Sequence, residues 1–158
     1  FKYLTVLETK GFGKTIINIS EEIPVTENTI FRILSISKTV TTAALMQLWE
    51  NDEFELDDAI NDYLPFEVIH PDFPDTPISF LMLLTHRSSI GDNWGIINQL
   101  YVEDGDPELA LGDLLENYLV EGGELWEEIN FEDEVEPGEA YNYSNMEKGC
   151  PRASWENV

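Results

Sequence analysis

The chain has 158 residues, of which 42% are hydrophobic and 11% aromatic, so it has the length of one domain and enough apolar side chains for a core. Its 32 acidic and 8 basic residues give a formal net charge of −24, which excludes nucleic acid as a partner because phosphate-binding surfaces need clustered Lys and Arg. No apolar run reaches the ~20 residues of a membrane span, no signal-peptide pattern precedes the first element, and the single cysteine, Cys150, excludes an internal disulfide framework.

The N-terminal segment predicts a β-hairpin. Lys2–Leu7 and Thr15–Ile19 are short runs rich in β-branched residues, and Gly11-Phe12-Gly13 lies between them. A phosphate-binding loop at Gly13-Lys14-Thr15 is excluded, because its first glycine would have to stand at position 8, which is Glu8.

Three helices are predicted further along the chain. The stretch from Ser35 to Trp49 lacks Gly and Pro and is apolar on several faces, which predicts a helix buried inside the domain. Ile78–Leu84 reads as a second apolar helix. A third begins with Asp106 as N-cap and Pro107 at the first helical position, and its apolar residues follow helical spacing at Leu111, Leu114, Leu115, Tyr118 and Leu119.

Several kinds of site can be excluded from the sequence. None of the 8 serines stands in a Gly-x-Ser-x-Gly pattern. The loop at Asp104–Leu109 lacks the glycine and the bidentate glutamate of a calcium-binding EF-hand. The two histidines, His70 and His86, belong to no zinc-binding cluster, and His86 is interpreted first as a helix-terminal residue that bonds the backbone.

The remaining candidate is Ser35-Ile36-Ser37-Lys38. Lys38 follows Ser35 by three residues, which is one turn on the same helix face. A helix N-terminus and apolar surroundings both favour the neutral amine, and a neutral amine can take the proton of a serine hydroxyl that attacks a carbonyl. The alternative is that Ser35 only caps the helix and Lys38 extends to the surface.

Four ordered stretches resemble the serine β-lactamase-related family, which includes class C β-lactamases, penicillin-binding proteins and related esterases and peptidases. Phe31–Thr39 resembles its nucleophile segment. Ile78–Ser89, and especially Leu83–Ser89, resembles its Leu-Leu-Thr-His-Thr-Ser-Gly stretch, with Ser89 at the position of the glycine. The other two are Leu56–Pro65, similar to the segment after the nucleophile helix, and Tyr143-Ser144-Asn145, similar to the Tyr-x-Asn motif.

The resemblance implies a role for each residue that matches these motifs. Ser35 would be the acylated nucleophile and Lys38 its proton acceptor. Tyr143 would be the phenolic acid/base that faces Lys38, and Asn145 would bond the substrate amide or the lysine. The implied reaction is acyl transfer from a small-molecule or peptide substrate, namely a β-lactam, peptide or ester, without a metal or cofactor. The implied location is the bacterial periplasm or the extracellular space.

The implied fold is α+β, a multi-helical lobe with an antiparallel sheet as in β-lactamases and transpeptidases, here without its C-terminal strands. Residues 1–146 would form the N-terminal part of such a domain, and residues 147–158 form an atypical tail. The third motif, Lys-Thr-Gly or His-x-Gly, is absent from the sequence, so we expect no turnover by this chain alone. A non-catalytic fragment that serves only as a folding or binding module is the alternative.

Overall fold

The computed structural model describes residues 8–17, 22–100, 102 and 109–153. The chain divides into two compact units, Phe1–Ser37 and Lys38–Val158. Each unit is described by itself below.

The first unit contains a short antiparallel ladder. Strand β1 (Lys14–Ile17) pairs with β2 (Glu22–Pro24), with Lys14 opposite Pro24 and Ile17 opposite Glu22. Gly13 takes a positive φ of 81° immediately before β1, a conformation that glycine adopts at no steric cost. The predicted strand at Thr15–Ile19 is therefore present in part, whereas its predicted partner at Lys2–Leu7 lies outside the described residues.

The helices belong mainly to the second unit. Helix α1 spans Ser37–Glu50 and thus begins at the last residue of the first unit. The others are α2 (Phe80–Leu84), α3 (Trp94–Leu100), α4 (Leu111–Leu119) and α5 (Cys150–Ala153). Single 3-10 turns occur at Leu34–Ile36, Ile60–Asp62, Glu128–Asn130 and Met146–Lys148.

Two predicted helices are present, and local sequence explains the start of one of them. The second predicted helix is confirmed as α2, where the Ser79 hydroxyl caps the N-terminus by accepting from the Met82 amide at 3.3 Å. The third is confirmed as α4, whose buried residues Leu115, Tyr118 and Leu119 share one face. The predicted start of this helix is wrong: α4 begins at Leu111 with Ala110 as N-cap and no side-chain cap, while residues 106 and 107 lie outside the described residues.

Helix α1 exists, but the prediction that it is buried is wrong. Leu45 is its only buried residue, while Val40 remains 64% exposed and Trp49 37% exposed. Apolar side chains surround the whole helix, but the described part of the chain covers only the face that carries Leu45 and Leu48. Sequence pattern alone indicates how apolar a helix is and does not supply the elements that would cover it.

The core of the second unit is built around an aromatic group. The Phe80 ring lies 4.5 Å from the Phe54 ring and 5.2 Å from the Tyr63 ring, measured between centroids. Ile60, Leu83, Ile90, Leu115 and Leu119 are also buried in this core. A backbone hydrogen bond links the segment after α1 to the residues just before α2: the Ile60 amide donates to the Ile78 carbonyl at 2.9 Å.

The segment after α2 turns sharply twice. His86 and Ser89 both have a positive φ, 56° and 64°, a conformation that is uncommon for residues with a side chain. Ser89 is buried, and its hydroxyl donates to the Val135 carbonyl at 2.6 Å. These two turns carry the chain past the residues that form the site described next.

Candidate active site

Lys38 meets the Tyr-x-Asn segment across 107 positions of sequence. Its Nζ donates to the Asn145 side-chain carbonyl, Oδ1, at 2.7 Å, and lies 5.1 Å from the centroid of the Tyr143 ring. Lys38 is half-buried, and Tyr143 is 40% exposed. The second unit thus brings together three of the four residues that the sequence assigns to the site.

Asp92 holds the segment that carries Asn145. Its Oδ1 accepts hydrogen bonds from the backbone amides of Asn145 at 2.7 Å and Met146 at 3.2 Å, and from the Ser144 hydroxyl at 2.9 Å. Its Oδ2 accepts from the Asn145 side-chain amide, Nδ2, at 2.6 Å. One carboxylate therefore fixes both the backbone and the side chain of this segment.

The His86 ring lies behind Tyr143. The two ring centroids are 4.6 Å apart with the planes inclined by 33°. His86 Nδ1 accepts the Ser144 backbone N–H at 3.3 Å, as expected for a backbone-bonded histidine, and it also lies 2.5 Å from Oε2 of Glu147. The sequence did not predict the contact with Glu147.

Glu147 is a fully buried acid in this network. Its Oε1 accepts from the Ser88 backbone amide at 3.0 Å and from the Ser88 hydroxyl. Burial raises the pKa of Glu147 to about 7, against the opposing hydrogen bonds from Ser88 and the charge of Lys148.

Burial also lowers the pKa of His86 to about 4, helped by the positive charges of Lys148 and Lys38. Near neutral pH the His86 ring is therefore uncharged, and its Nδ1 serves as an acceptor for Ser144. The short contact is satisfied when Glu147 is protonated and its Oε2–H donates to Nδ1. The pair then places no net charge beside Tyr143.

Lys148, the residue after Glu147, bonds the C-terminal end of α2. Its Nζ donates to the carbonyls of Leu83 at 2.8 Å and Leu84 at 2.9 Å, the last two of α2. Burial lowers the pKa of Lys148, although the carboxyl of Glu147 acts in the opposite direction. A cation at these carbonyls complements the negative end of the helix.

The chain after Asn145 folds into the second unit. Met146–Lys148 forms a 3-10 turn and Cys150–Ala153 a single helical turn, with Met146 and Cys150 buried. The sequence predicts no helix here because Pro151 interrupts the pattern. Proline is tolerated within the first turn of a helix, where its missing N–H would have no partner within the helix.

Ser35 belongs to the first unit. It lies in the 3-10 turn Leu34–Ile36 just before α1 and is exposed. The neighbouring Ser37 hydroxyl donates to the Leu34 carbonyl, which bonds this turn to the start of α1.

Sequence reasoning missed Asp92, Ser88 and Glu147. Ser88 lies within the Leu83–Ser89 motif but received no role, whereas Asp92 and Glu147 stand in no recognisable local pattern; each of the three acts through contacts more than 50 residues away along the chain. Within the described residues, no group of three or more His, Cys, Asp or Glu side chains could hold a metal ion. No helix in the same residues is long and apolar enough to cross a membrane.

Comparison with known proteins identifies the family and the fold of the chain. The family model described as Beta-lactamase matches residues 6–149, so the chain belongs to the β-lactamase family. Its fold resembles that of the octameric penicillin-binding protein homologue from Pyrococcus abyssi, with a TM-score of 0.58 and 26% identity over 84% of this chain and 28% of that one. The predicted β-lactamase/transpeptidase-like fold and the predicted family are thereby confirmed.

Two curated relatives are also named as serine β-lactamase-like proteins. The serine β-lactamase-like protein LACTB, mitochondrial, of mouse is 32% identical over 89 residues, and its human counterpart is 32% identical over 84 residues. Each match covers 52% of this chain and 15% of the relative, so the chain matches a small part of these proteins. The family relationship makes this a serine-hydrolase-like chain.

Proposed function

We propose that this chain carries the nucleophile and the proton-transfer groups of a serine hydrolase that forms an acyl-enzyme with a β-lactam, peptide or ester. The observation that carries the proposal is the contact of Lys38 with both Asn145 and the Tyr143 ring. A lysine next to a serine can act as its base, and a phenol can supply a proton to a leaving group.

In the proposed reaction, the Ser35 oxygen attacks the carbonyl carbon while its proton passes to the neutral amine of Lys38. The bond from that carbon to the leaving nitrogen or oxygen then breaks, and the Tyr143 hydroxyl supplies the proton that the leaving group needs. Lys38 returns its proton to the phenolate. Water then releases the acyl group from Ser35 by the reverse sequence of proton transfers.

The surroundings of Lys38 support this assignment. Its Nζ lies 5.1 Å from the centroid of the Tyr143 ring. Asn145 presents an uncharged carbonyl oxygen to the amine.

The test is covalent labelling of the 158-residue chain with a fluorophosphonate, followed by intact-mass and peptide analysis. We expect one label on Ser35, none in Ser35→Ala, and wild-type labelling in the matched control Ser37→Ala. Lys38→Arg should slow labelling by about 10²–10⁴-fold, because a guanidinium stays protonated and a positioned base typically contributes that factor.

Labelling that persists in Ser35→Ala, or Lys38→Arg labelling at the wild-type rate, would contradict the proposal. Labelling is the appropriate measurement because it reports acylation alone and does not require turnover. Ordered near-UV circular dichroism of each variant shows that a lost label does not reflect a lost fold.

The division of the chain into a domain at residues 1–146 and a tail at 147–158 remains a prediction. Two residues of that tail, Glu147 and Cys150, are buried in the second unit. The periplasmic or extracellular location also remains a prediction, and the two curated relatives are named as mitochondrial proteins.

A further inference from the structure

We propose that Asp92 is a positioning residue that determines which end of the Asn145 side-chain amide faces Lys38. The inference rests on the proposed function, because it concerns how Lys38 is kept available as a base. It adds a residue that no sequence motif of the chain contains.

The contacts of Asp92 divide between its two oxygens. Oδ1 accepts from two backbone amides and the Ser144 hydroxyl, and so anchors the backbone of the segment. Among the described residues, Oδ2 accepts from Nδ2 of Asn145, at 2.6 Å. The first oxygen therefore positions the segment, and the second acts on one side chain.

An asparagine amide has two ends of similar shape and opposite hydrogen-bonding character. A carboxylate can only accept, so the amino end of Asn145 must face Asp92 and the carbonyl end must face Lys38. The 2.7 Å contact from Lys38 Nζ to Oδ1 agrees with this orientation.

The orientation matters because a neutral amine has two N–H donors and one lone pair. With the carbonyl of Asn145 facing it, Lys38 donates an N–H to this contact, and the contact therefore does not use the lone pair. If the amide were reversed, its N–H would donate to that lone pair and occupy the position that a base needs. Asp92 thus keeps Asn145 from inhibiting the lysine.

Asp92→Asn separates this role from simple anchoring of the backbone. The oxygen of the new amide can still accept from the backbone and Ser144, but its amino group then faces the amino group of Asn145. Two donors cannot bond, so the Asn145 amide reverses. We expect the maximal labelling rate at Ser35 to fall by about 10–100-fold, with the probe concentration for half-maximal rate unchanged.

A double-mutant cycle with Asn145→Ala tests whether Asp92 acts through Asn145. Asp92→Asn should slow labelling in the wild type and have no further effect in Asn145→Ala. Asp92→Glu keeps an acceptor-only group and should retain most of the rate. Asp72→Asn is the matched control, because Asp72 accepts the backbone amide of Glu134 at 3.3 Å and so anchors a different loop.

Nuclear magnetic resonance reports the orientation without any chemistry. One side-chain amide proton of Asn145, assigned by its loss in Asn145→Ala, should resonate downfield because it bonds a carboxylate, and it should move upfield in Asp92→Asn. Absence of that downfield signal in the wild type overturns the proposal even if Asp92→Asn does not fold. A lost signal with an unchanged labelling rate overturns the catalytic consequence.

The failure of the proposed function gives a different result. If wild-type Ser35 takes no label while the downfield signal is present and responds to Asp92→Asn, the orientation stands and the serine hydrolase assignment fails. If labelling depends on Ser35 but the signal does not respond to Asp92→Asn, the hydrolase assignment stands and the role of Asp92 fails.

Discussion

Replacing Glu147 by Gln should change how the stability of the chain depends on pH. Glutamine has the shape of the protonated acid: its amino group can donate to His86 Nδ1, and its oxygen can accept from both groups of Ser88. The replacement keeps the hydrogen bonds of the buried network and removes only the ionisation.

The sign follows from the pKa values. Burial raises the pKa of Glu147 from its ordinary 4.5 to about 7, so the folded chain holds this proton where the unfolded chain has released it. The resulting stabilisation is complete below pH 4.5 and is lost as the pH rises through about 7. Since a tenfold change in proton affinity is worth about 1.4 kcal/mol, the change across this range is about 3 kcal/mol.

His86 contributes the opposite dependence. Its pKa falls from 6.5 to about 4 on folding, so its contribution is complete above pH 6.5 and is lost as the pH falls through about 4. Between pH 4.5 and 6.5 the two slopes cancel, because the folded pair and the unfolded pair bind the same number of protons. In Glu147→Gln, of these two contributions to the pH dependence of the free energy of unfolding, only that of His86 remains.

The assay is urea unfolding of the wild type and Glu147→Gln from pH 4.5 to 8. The free energy of unfolding of the variant should rise relative to the wild type by about 3 kcal/mol over this range. Glu139→Gln makes the same charge change at an exposed site and should give curves parallel to those of the wild type. Parallel curves for Glu147→Gln as well would refute the assignment of a protonated Glu147.

Three other substitutions test separate parts of the second unit by urea unfolding. Lys148→Met removes two hydrogen bonds to the last carbonyls of α2 and should cost about 2–3 kcal/mol; a change below about 0.5 kcal/mol would contradict the capping role. Tyr118→Phe leaves two backbone groups of the loop before α3 without the tyrosine hydroxyl and should cost about 2 kcal/mol, against no loss for Tyr141→Phe, which is 64% exposed. In Gly123→Ala the new Cβ would lie 2.4 Å from the Asn117 carbonyl oxygen, so we expect a loss of about 1–3 kcal/mol; an unchanged midpoint would show that this turn can move aside.

Local pattern was sufficient to predict α2 and α4 and to nominate Lys38, Tyr143 and Asn145. Helical spacing and the Ser79 cap are properties of a few neighbouring residues, and the site motifs are short. Helix α3 was missed because it has only seven residues and a glycine at its second position, so it offers little periodicity to detect.

The groups that organise the site could not be predicted in this way. Asp92 and Glu147 are two acids in a very acidic chain, and sequence alone gives no reason to place either among donors rather than on the surface. Their roles arise when α2, the turn after it and the Met146–Lys148 turn pack together. Burial likewise determines the charge state of Glu147 and His86, which composition cannot reveal.

Ser89 shows what the glycine of the family pattern requires of the chain. The backbone at this position has a φ of 64°, which disfavours a residue with a side chain by about 1–2 kcal/mol. The serine hydroxyl gains a hydrogen bond to Val135 that glycine could not form, and this bond offsets the conformational cost. A left-handed backbone angle at position 89 can thus be held by a serine whose hydroxyl is bonded, so a departure from the glycine of the motif does not by itself mean that the turn is lost.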